Sequence, residues 1–342
     1  MPKELIGIAP GKLEWREYEE KPIKATEVRV RCVHAATKHG TEMSNFKGYG
    51  DPRGKYDSDL EIFTGRSEGE PAGEYKIGNM FFGLVEETGS EVSGINIDDR
   101  VFAYGPFRES HTVTSDKCFP LMKDVNWKTA MCLDPAVFAM GAVRDGNVRV
   151  GDQVVVFGLG AIGLMVVQLA KLSGASEVFA VDPIGLRREI ALKVGASQVF
   201  DPTKSDVGKD IKVANGNKGV DVAIEYSGST PGLQQAIRAL AFGGTIVCGA
   251  YPPPLSAGLD LGAEAHFNRP NLVFSRACSD PSREHPRWDE QRLYRECHRL
   301  INNHKLNGED IVQPVVPFRN LATEYPKIAK SPEMLVKLGV DY

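Results

Sequence analysis

The sequence predicts an α/β protein in two parts, a β-rich domain and a doubly wound parallel sheet. Three observations predict it. Short apolar or β-branched runs in the first third, such as residues 80–86 and Arg100–Tyr104, are separated by Gly, Pro and Asp. From Gln153 onward, apolar runs of strand length alternate with segments of helical period. A chain of 342 residues with 42% hydrophobic side chains suits two domains of ordinary size.

The elements follow in order. Residues 28–31 alternate apolar and basic side chains, as a half-buried strand does. Short strands with turn signals between them suggest a barrel or sandwich. Residues 47–73 are polar and rich in Gly, Asp and Arg, which predicts a long loop over a site or an interface. Residues 129–147 read as a helix with an apolar face of Ala136, Val137, Met140 and Val143. Asp134 before Pro135 fits a helix N-cap. Gln153–Phe157 and Glu177–Val181 are continuous apolar runs, the mark of strands buried on both faces. Residues 162–173 and 186–194 read as helices, and Gln198–Phe200 as a short strand. Val220–Glu225, then a helix over 232–240 and a strand over 245–249, continue the alternation, with Gly243-Gly244 as a turn. Residues 271–275 read as a strand, 288–303 as an amphipathic helix, 321–329 as another helix, and 334–340 as a last strand that returns to the first sheet.

Charge and composition narrow the function classes. Charged residues are 25% and the formal net charge is -4, which leaves no electrostatic footprint for nucleic acid or an anionic membrane. No apolar stretch reaches the roughly 18–20 residues that span a bilayer. The first residues lack a basic-then-apolar leader, so a cytoplasmic location is expected. The cysteines at 32, 118, 132, 248, 278 and 297 show no metal-ligand spacing and read as reduced thiols.

The strongest motif runs from Val154 to Gly163. Gly158, Gly160 and Gly163 form G-x-G-x-x-G just after a buried strand and at the start of a helix. The first glycine permits a tight turn, the second lets the backbone approach a pyrophosphate, and the third lets helix pack on strand. The helix start at Ala161 and Ile162 offers free N–H groups and a partial positive charge to phosphates. Asp182 ends the next strand about 20 residues on, where a carboxylate accepts both adenosine ribose hydroxyls and repels a 2′-phosphate. The expected cofactor is therefore NAD, with NADP the lesser alternative because Arg187 stands nearby. Ser227 with Gly228, and residues 248–251 including Gly249, follow strand ends that face such a cofactor.

Together, Gly40-Thr41-Glu42, residues 78–89, Asp134-Pro135, the glycine turn and Asp182 make the chain resemble the medium-chain dehydrogenase/reductase superfamily over nearly its full length. Residues 40–44 and 286–289 are similar to its bacteriochlorophyllide a dehydrogenase-like branch. The resemblance implies a GroES-like β-barrel catalytic domain over 1–126 and 306–342, and a Rossmann domain over 127–305. It also implies a homodimer or homotetramer, with Rossmann sheets paired edge to edge. Zinc-type members carry Cys, His-Glu and Glu or Cys at positions that here read His39, Asn79 with Met80, and Asp134. Asn and Met are poor zinc ligands and a catalytic zinc needs three good donors, so zinc is expected to be absent. A rearranged site of His39 and Asp134 with Glu42 or His111 is the alternative.

Without a metal, side chains must move the proton of an alcohol that loses hydride. The candidates are His39, because imidazole titrates near neutral pH, Thr41 as the hydroxyl relay that the resemblance implies, Lys38 and Asp134. Glu42, Asn79, Tyr104 and His111 are candidates for binding substrate. The expected activity is NAD-dependent interconversion of a secondary alcohol and a ketone on a small polar molecule such as a sugar, polyol or cyclitol. A reductase of activated double bonds or quinones, and a non-catalytic NAD(H)-binding protein, are the alternatives.

Overall fold

A computed structural model describes residues 1–48, 53–65, 73–252 and 258–342, without the side chains of His39 and Thr41. The chain forms two compact units, Met1–Met131 with Val312–Tyr342, and Cys132–Ile311.

The first unit opens with the hairpin β1 (Lys3–Ala9) and β2 (Lys12–Glu17), then β3 (Glu27–Ala36) and α1 (His39–Lys47). The pair β4 (Tyr56–Asp57) and β5 (Ile62–Phe63) lies inside the segment expected to be a loop, of which 49–52 and 66–72 are outside the described residues. There follow β6 (Tyr75–Lys76), β7 (Met80–Thr88), β8 (Arg100–Tyr104), β9 (Ser110–Thr114), β10 (Phe119–Pro120) and α2 (Trp127–Ala130). The stretch 28–31 is thus one part of a ten-residue strand.

The second unit begins with α3 (Leu133–Asp145), so the helix expected over 129–147 is two helices broken at Met131 and Cys132. Cys132 is the N-cap of α3, and Asp134 lies in its first turn rather than at the cap. The alternation is β11 (Gln153–Phe157), α4 (Ala161–Leu172), β12 (Glu177–Val181), α5 (Gly185–Lys193), β13 (Gln198–Phe200), α6 (Val207–Ala214), β14 (Val220–Glu225), α7 (Thr230–Ala239), β15 (Leu240–Cys248), α8 (Glu264–Asn268), β16 (Asn271–Phe274) and α9 (Glu290–Asn302). The six strands are all parallel, in the order β13-β12-β11-β14-β15-β16. Chain order reverses between β11 and β14, and a doubly wound sheet opens its ligand crevice at the carboxyl ends of such strands. Gly243 and Gly244 sit inside β15, where its register against β14 slips between Val220 and Val222.

The chain then returns to the first unit as β17 (Val312–Pro317), α10 (Leu321–Ile328) and β18 (Lys337–Asp341). β18 pairs antiparallel with β3, placing Val340 opposite Ala35, and β17 pairs parallel with β18. The mixed sheet runs β10-β8-β7-β3-β18-β17 with β9 also on β3, and a second sheet runs β2-β1-β6. Both sheets feed one core, in which Leu5 of β1 joins Val28, Val30, Phe81, Phe107 and Leu338. Among the described residues no helix is long and apolar enough to cross a membrane.

Candidate active site

In the second unit the glycine turn leaves β11 at its carboxyl end. Gly158 has φ +86°, a left-handed conformation that costs a side-chain residue, and its N–H donates to the Val181 carbonyl at 2.9 Å. A methyl at Gly163 would overlap the Gly158 carbonyl oxygen, so α4 packs directly on the turn. A methyl at Gly160 would meet nothing within 4 Å. Gly160 is also the N-cap of α4 and makes no side-chain cap bond. The first N–H groups of α4, at Ala161, Ile162 and Gly163, have no acceptor within the helix. Donors left over at a helix start, next to a glycine whose Cβ position is empty, fit as a cradle for the pyrophosphate of a dinucleotide.

Asp182 stands at the end of β12, 3% exposed. Its Oδ2 accepts the Leu159 N–H at 2.8 Å and its Oδ1 accepts the Ile184 N–H at 2.8 Å. The carboxylate therefore ties the glycine turn to the loop that enters α5. Arg187 reaches its Oδ2 at 3.7 Å, and Arg188 donates to the Asp182 carbonyl at 2.5 Å. The adenosine end of the cradle thus holds one carboxylate and two guanidinium groups.

Glu225 ends β14 beside this turn and was not singled out from the sequence. It is buried and accepts the Ser227 N–H at 2.6 Å, the Ser227 hydroxyl, and the Gly228 N–H at 3.1 Å. Burial pushes its carboxyl pKa up, and the Ser227 and Gly228 donors oppose that shift. Ser227 therefore spends its amide and hydroxyl hydrogens on Glu225 rather than on a ligand. Gly249 likewise donates its N–H to the Glu225 carbonyl at 3.0 Å, and it is a glycine because the Tyr226 ring lies against it. The sequence signal was an acidic strand end followed by Ser-Gly, legible only once the register was known.

In the first unit Lys38 is the N-cap residue of α1, and its N–H donates to Glu42 Oε1. His39 and Thr41 lie in the first turn of this helix, so the Gly-Thr segment is helical rather than a free turn; their side chains are outside the described ones. Glu42 is a correction. It is buried, and its other oxygen accepts the Tyr325 hydroxyl at 3.2 Å. A second N–H, from Gly78, also reaches it, and burial raises its pKa against these donors. Its acceptors are committed to holding α1, residue 78 and α10 together, not to a substrate. Lys337, buried on β18, donates to the Thr37 carbonyl and adds a positive charge near Glu42.

His111 is the second correction. It is 4% exposed, and its ring stacks flat on Phe81 at 3.7 Å. Burial holds its imidazole well below the ordinary value, with the charge of Arg108 acting in the same direction. It is a core residue. Asn79 donates its N–H to the Ala36 carbonyl at 2.9 Å and accepts the Gly105 N–H at 3.0 Å. Tyr104 ends β8 opposite Met80. Asp134 is buried in the first turn of α3, in the second unit.

A catalytic zinc does not fit this donor set. Two of the matching positions are the amide Asn79 and the buried thioether Met80, neither of which serves as a good zinc ligand. Among the described residues no three His, Cys, Asp or Glu side chains gather as a metal site. None of the six cysteines is in a disulfide.

The family model described as Zinc-binding dehydrogenase matches residues 161–286. D-guloside 3-dehydrogenase of Escherichia coli K12 is 43% identical over 349 aligned residues, covering 99% of this chain and 100% of that one. (R,R)-butanediol dehydrogenase of Bacillus subtilis is 30% identical over 221 residues, covering 56% of this chain and 61% of the relative. Among solved structures, 2R,3R-butanediol dehydrogenase from Bacillus subtilis matches all of both chains with a TM-score of 0.79 at 20% identity. Galactitol-1-phosphate dehydrogenase from Escherichia coli matches with a TM-score of 0.78 at 18% identity, over 99% of this chain and 100% of that one. The structural matches carry the fold, and the full-length sequence match carries the family.

Proposed function

The chain belongs to the zinc-type medium-chain dehydrogenase superfamily, and from that premise we propose that it oxidises one secondary hydroxyl of a sugar-like substrate to a ketone, with NAD as acceptor and without a catalytic zinc. The observation that carries this reading is the 43% identity to D-guloside 3-dehydrogenase over 99% of the chain. It points to a ring hydroxyl of a glycoside rather than an open-chain alcohol. The preference for NAD rests on Asp182, whose buried charge disfavours a 2′-phosphate. The absence of zinc rests on Asn79 and Met80 as donors.

The nicotinamide, when bound, supplies the hydride acceptor. The chain's own task is the hydroxyl proton, which must leave as the carbon loses hydride. We assign that proton to Thr41 as relay and His39 as acceptor, with Lys38 and Asp134 as the charged groups that assist. Asn79 and Tyr104 are the proposed contacts to substrate hydroxyls. A homodimer or homotetramer, with the parallel sheets paired edge to edge through the outer strand β16, and a cytoplasmic location, where the thiols stay reduced, complete the proposal.

The test is turnover of purified protein with NAD or NADP on a panel of alkyl hexosides that includes D-gulosides, alongside free polyols. NADH formation on glycosides, a ketone trapped by a carbonyl reagent, and a rate at least about tenfold higher with NAD are expected. Metal analysis should find far less than one zinc per chain, and activity should survive chelation. NADH binding without turnover across the panel overturns the activity. Stoichiometric zinc whose removal abolishes turnover overturns the metal-free part.

A further inference from the structure

We infer that Glu225 is a positioning residue for the dinucleotide: by gathering the Ser227 and Gly228 donors it holds the loop that walls the glycine turn. This rests on the cofactor reading above and deepens it. Glu225 is in register with Phe157 of β11 and Cys248 of β15, so it stands at the carboxyl edge of the sheet where the turn begins. Its side chain takes the Ser227 N–H at 2.6 Å and the Ser227 hydroxyl on one oxygen, and the Gly228 N–H at 3.1 and 3.2 Å on the two. Its main-chain carbonyl takes the N–H groups of Gly249 at 3.0 Å and Ala250 at 3.2 Å. One residue therefore ties down the loops after both β14 and β15.

The first of these loops is in contact with the cradle. A methyl on Gly158 would come within 2.5 Å of the Ser227 nitrogen. If residues 226–228 shift, one wall of the turn shifts with them. A carboxylate taken out of water must find donors to replace its hydration, and here the loop supplies them. A purely packing role would be met as well by an apolar side chain, so what the carboxylate adds is acceptor capacity. A carboxamide of the same shape keeps one acceptor oxygen but turns an NH2 toward donors that need an acceptor.

Fluorescence titration with NADH and steady-state kinetics on the full chain test the assignment. Glu225→Gln should raise the NADH Kd about tenfold, the scale of one charge-assisted hydrogen bond, and raise the KM for NAD in parallel. The kcat at saturating NAD and the KM for the glycoside should stay within about twofold, because the loop acts on the cofactor alone. Ser227→Ala, which keeps the amide donor, should move the NADH Kd in the same direction by less, and Glu225→Ala by more. Unchanged NADH affinity in Glu225→Gln and Ser227→Ala overturns the proposal. So does a uniform loss of kcat and of both KM values together with a lower melting temperature of the cofactor-free protein, which marks a structural role. If Glu225→Ala does not fold, the other two variants decide. Wild-type protein that does not bind NADH sinks the cofactor reading itself, whereas wild-type binding with a silent Glu225→Gln sinks only this assignment.

Discussion

At the scale of single residues, Asp182 does two jobs that substitution can separate. It latches the glycine turn to the loop before α5 through Leu159 and Ile184. In the proposed cofactor reading its charge also repels a 2′-phosphate, and Arg187 and Arg188 stand beside it. Asp182→Ser removes the repulsion and leaves both guanidinium groups. We expect the KM for NAD to rise about tenfold and the NADP-to-NAD preference to shift by at least the same factor, measured as kcat/KM for each cofactor. A preference that does not move would show that the carboxylate is only a latch. His111 belongs to stability. Its imidazole is held neutral by burial in the fold and titrates near 6.5 once unfolded, so the unfolded chain binds more protons below that pH. Its contribution is fully present above about pH 6.5 and is lost progressively below it, down to the depressed value of the folded imidazole. His34, half-buried and stacked on Trp127 at 4.0 Å, acts in the same direction: burial lowers its pKa and Asp341 at 3.1 Å only partly restores it. His111→Phe keeps the stack on Phe81 and should flatten the fall in melting temperature between about pH 7 and pH 5. An unchanged slope would assign the acid sensitivity to other groups.

At the scale of elements, the parallel strands were the most legible part of the chain. Gln153–Phe157, Glu177–Val181, Gln198–Phe200 and Val220–Glu225 form at the bounds their apolar runs predict. β11, β12 and β14 are buried almost throughout, and a continuous apolar run of strand length is what such burial requires. What escaped has physical reasons. α1 carries a polar, weakly amphipathic sequence, HGTEMSNFK, and is held by the buried Glu42 and Tyr325 rather than by a stripe of its own. β17 contains Pro314, which argues against a strand until its partner β18 is known. β1 and β2 are short and charged, and take their order from pairing with each other. The same limit hid Glu225, whose role depends on which strands lie beside it, and made His111 look like a ligand-facing polar group. The glycine turn was legible because each glycine answers a separate steric demand. Gly160→Ala places a methyl in open space, so the melting temperature should hold while NADH affinity drops, because the methyl stands where a pyrophosphate approaches. Gly163→Ala forces α4 off the Gly158 carbonyl and should cost about 1–3 kcal/mol of stability as well. NADH affinity unchanged in Gly160→Ala would remove the phosphate from that space.

At the scale of the whole molecule, the second unit ends in an edge. β16 hydrogen-bonds β15 on one side and is the last strand of the sheet. An outer strand offers a row of unpaired N–H and C=O groups, and chains that leave one open usually blunt it with charge or proline. Asn271–Phe274 contains neither. Leu272 is instead 51% exposed and Phe274 70% exposed. Large apolar side chains beside an open edge are what a self-complementary pairing of two sheets requires, and a twofold contact presents each residue twice. A single charge placed there should therefore act twice over. Phe274→Lys is expected to convert a dimer into a monomer at micromolar protein, read by sedimentation equilibrium, because each interface then buries two unpaired ammonium groups. NADH affinity should be retained, since the glycine turn lies on the far side of β14 and β15 from this edge. A wild-type chain that sediments as a monomer, or a Phe274→Lys variant with an unchanged association constant, would place any assembly on another face.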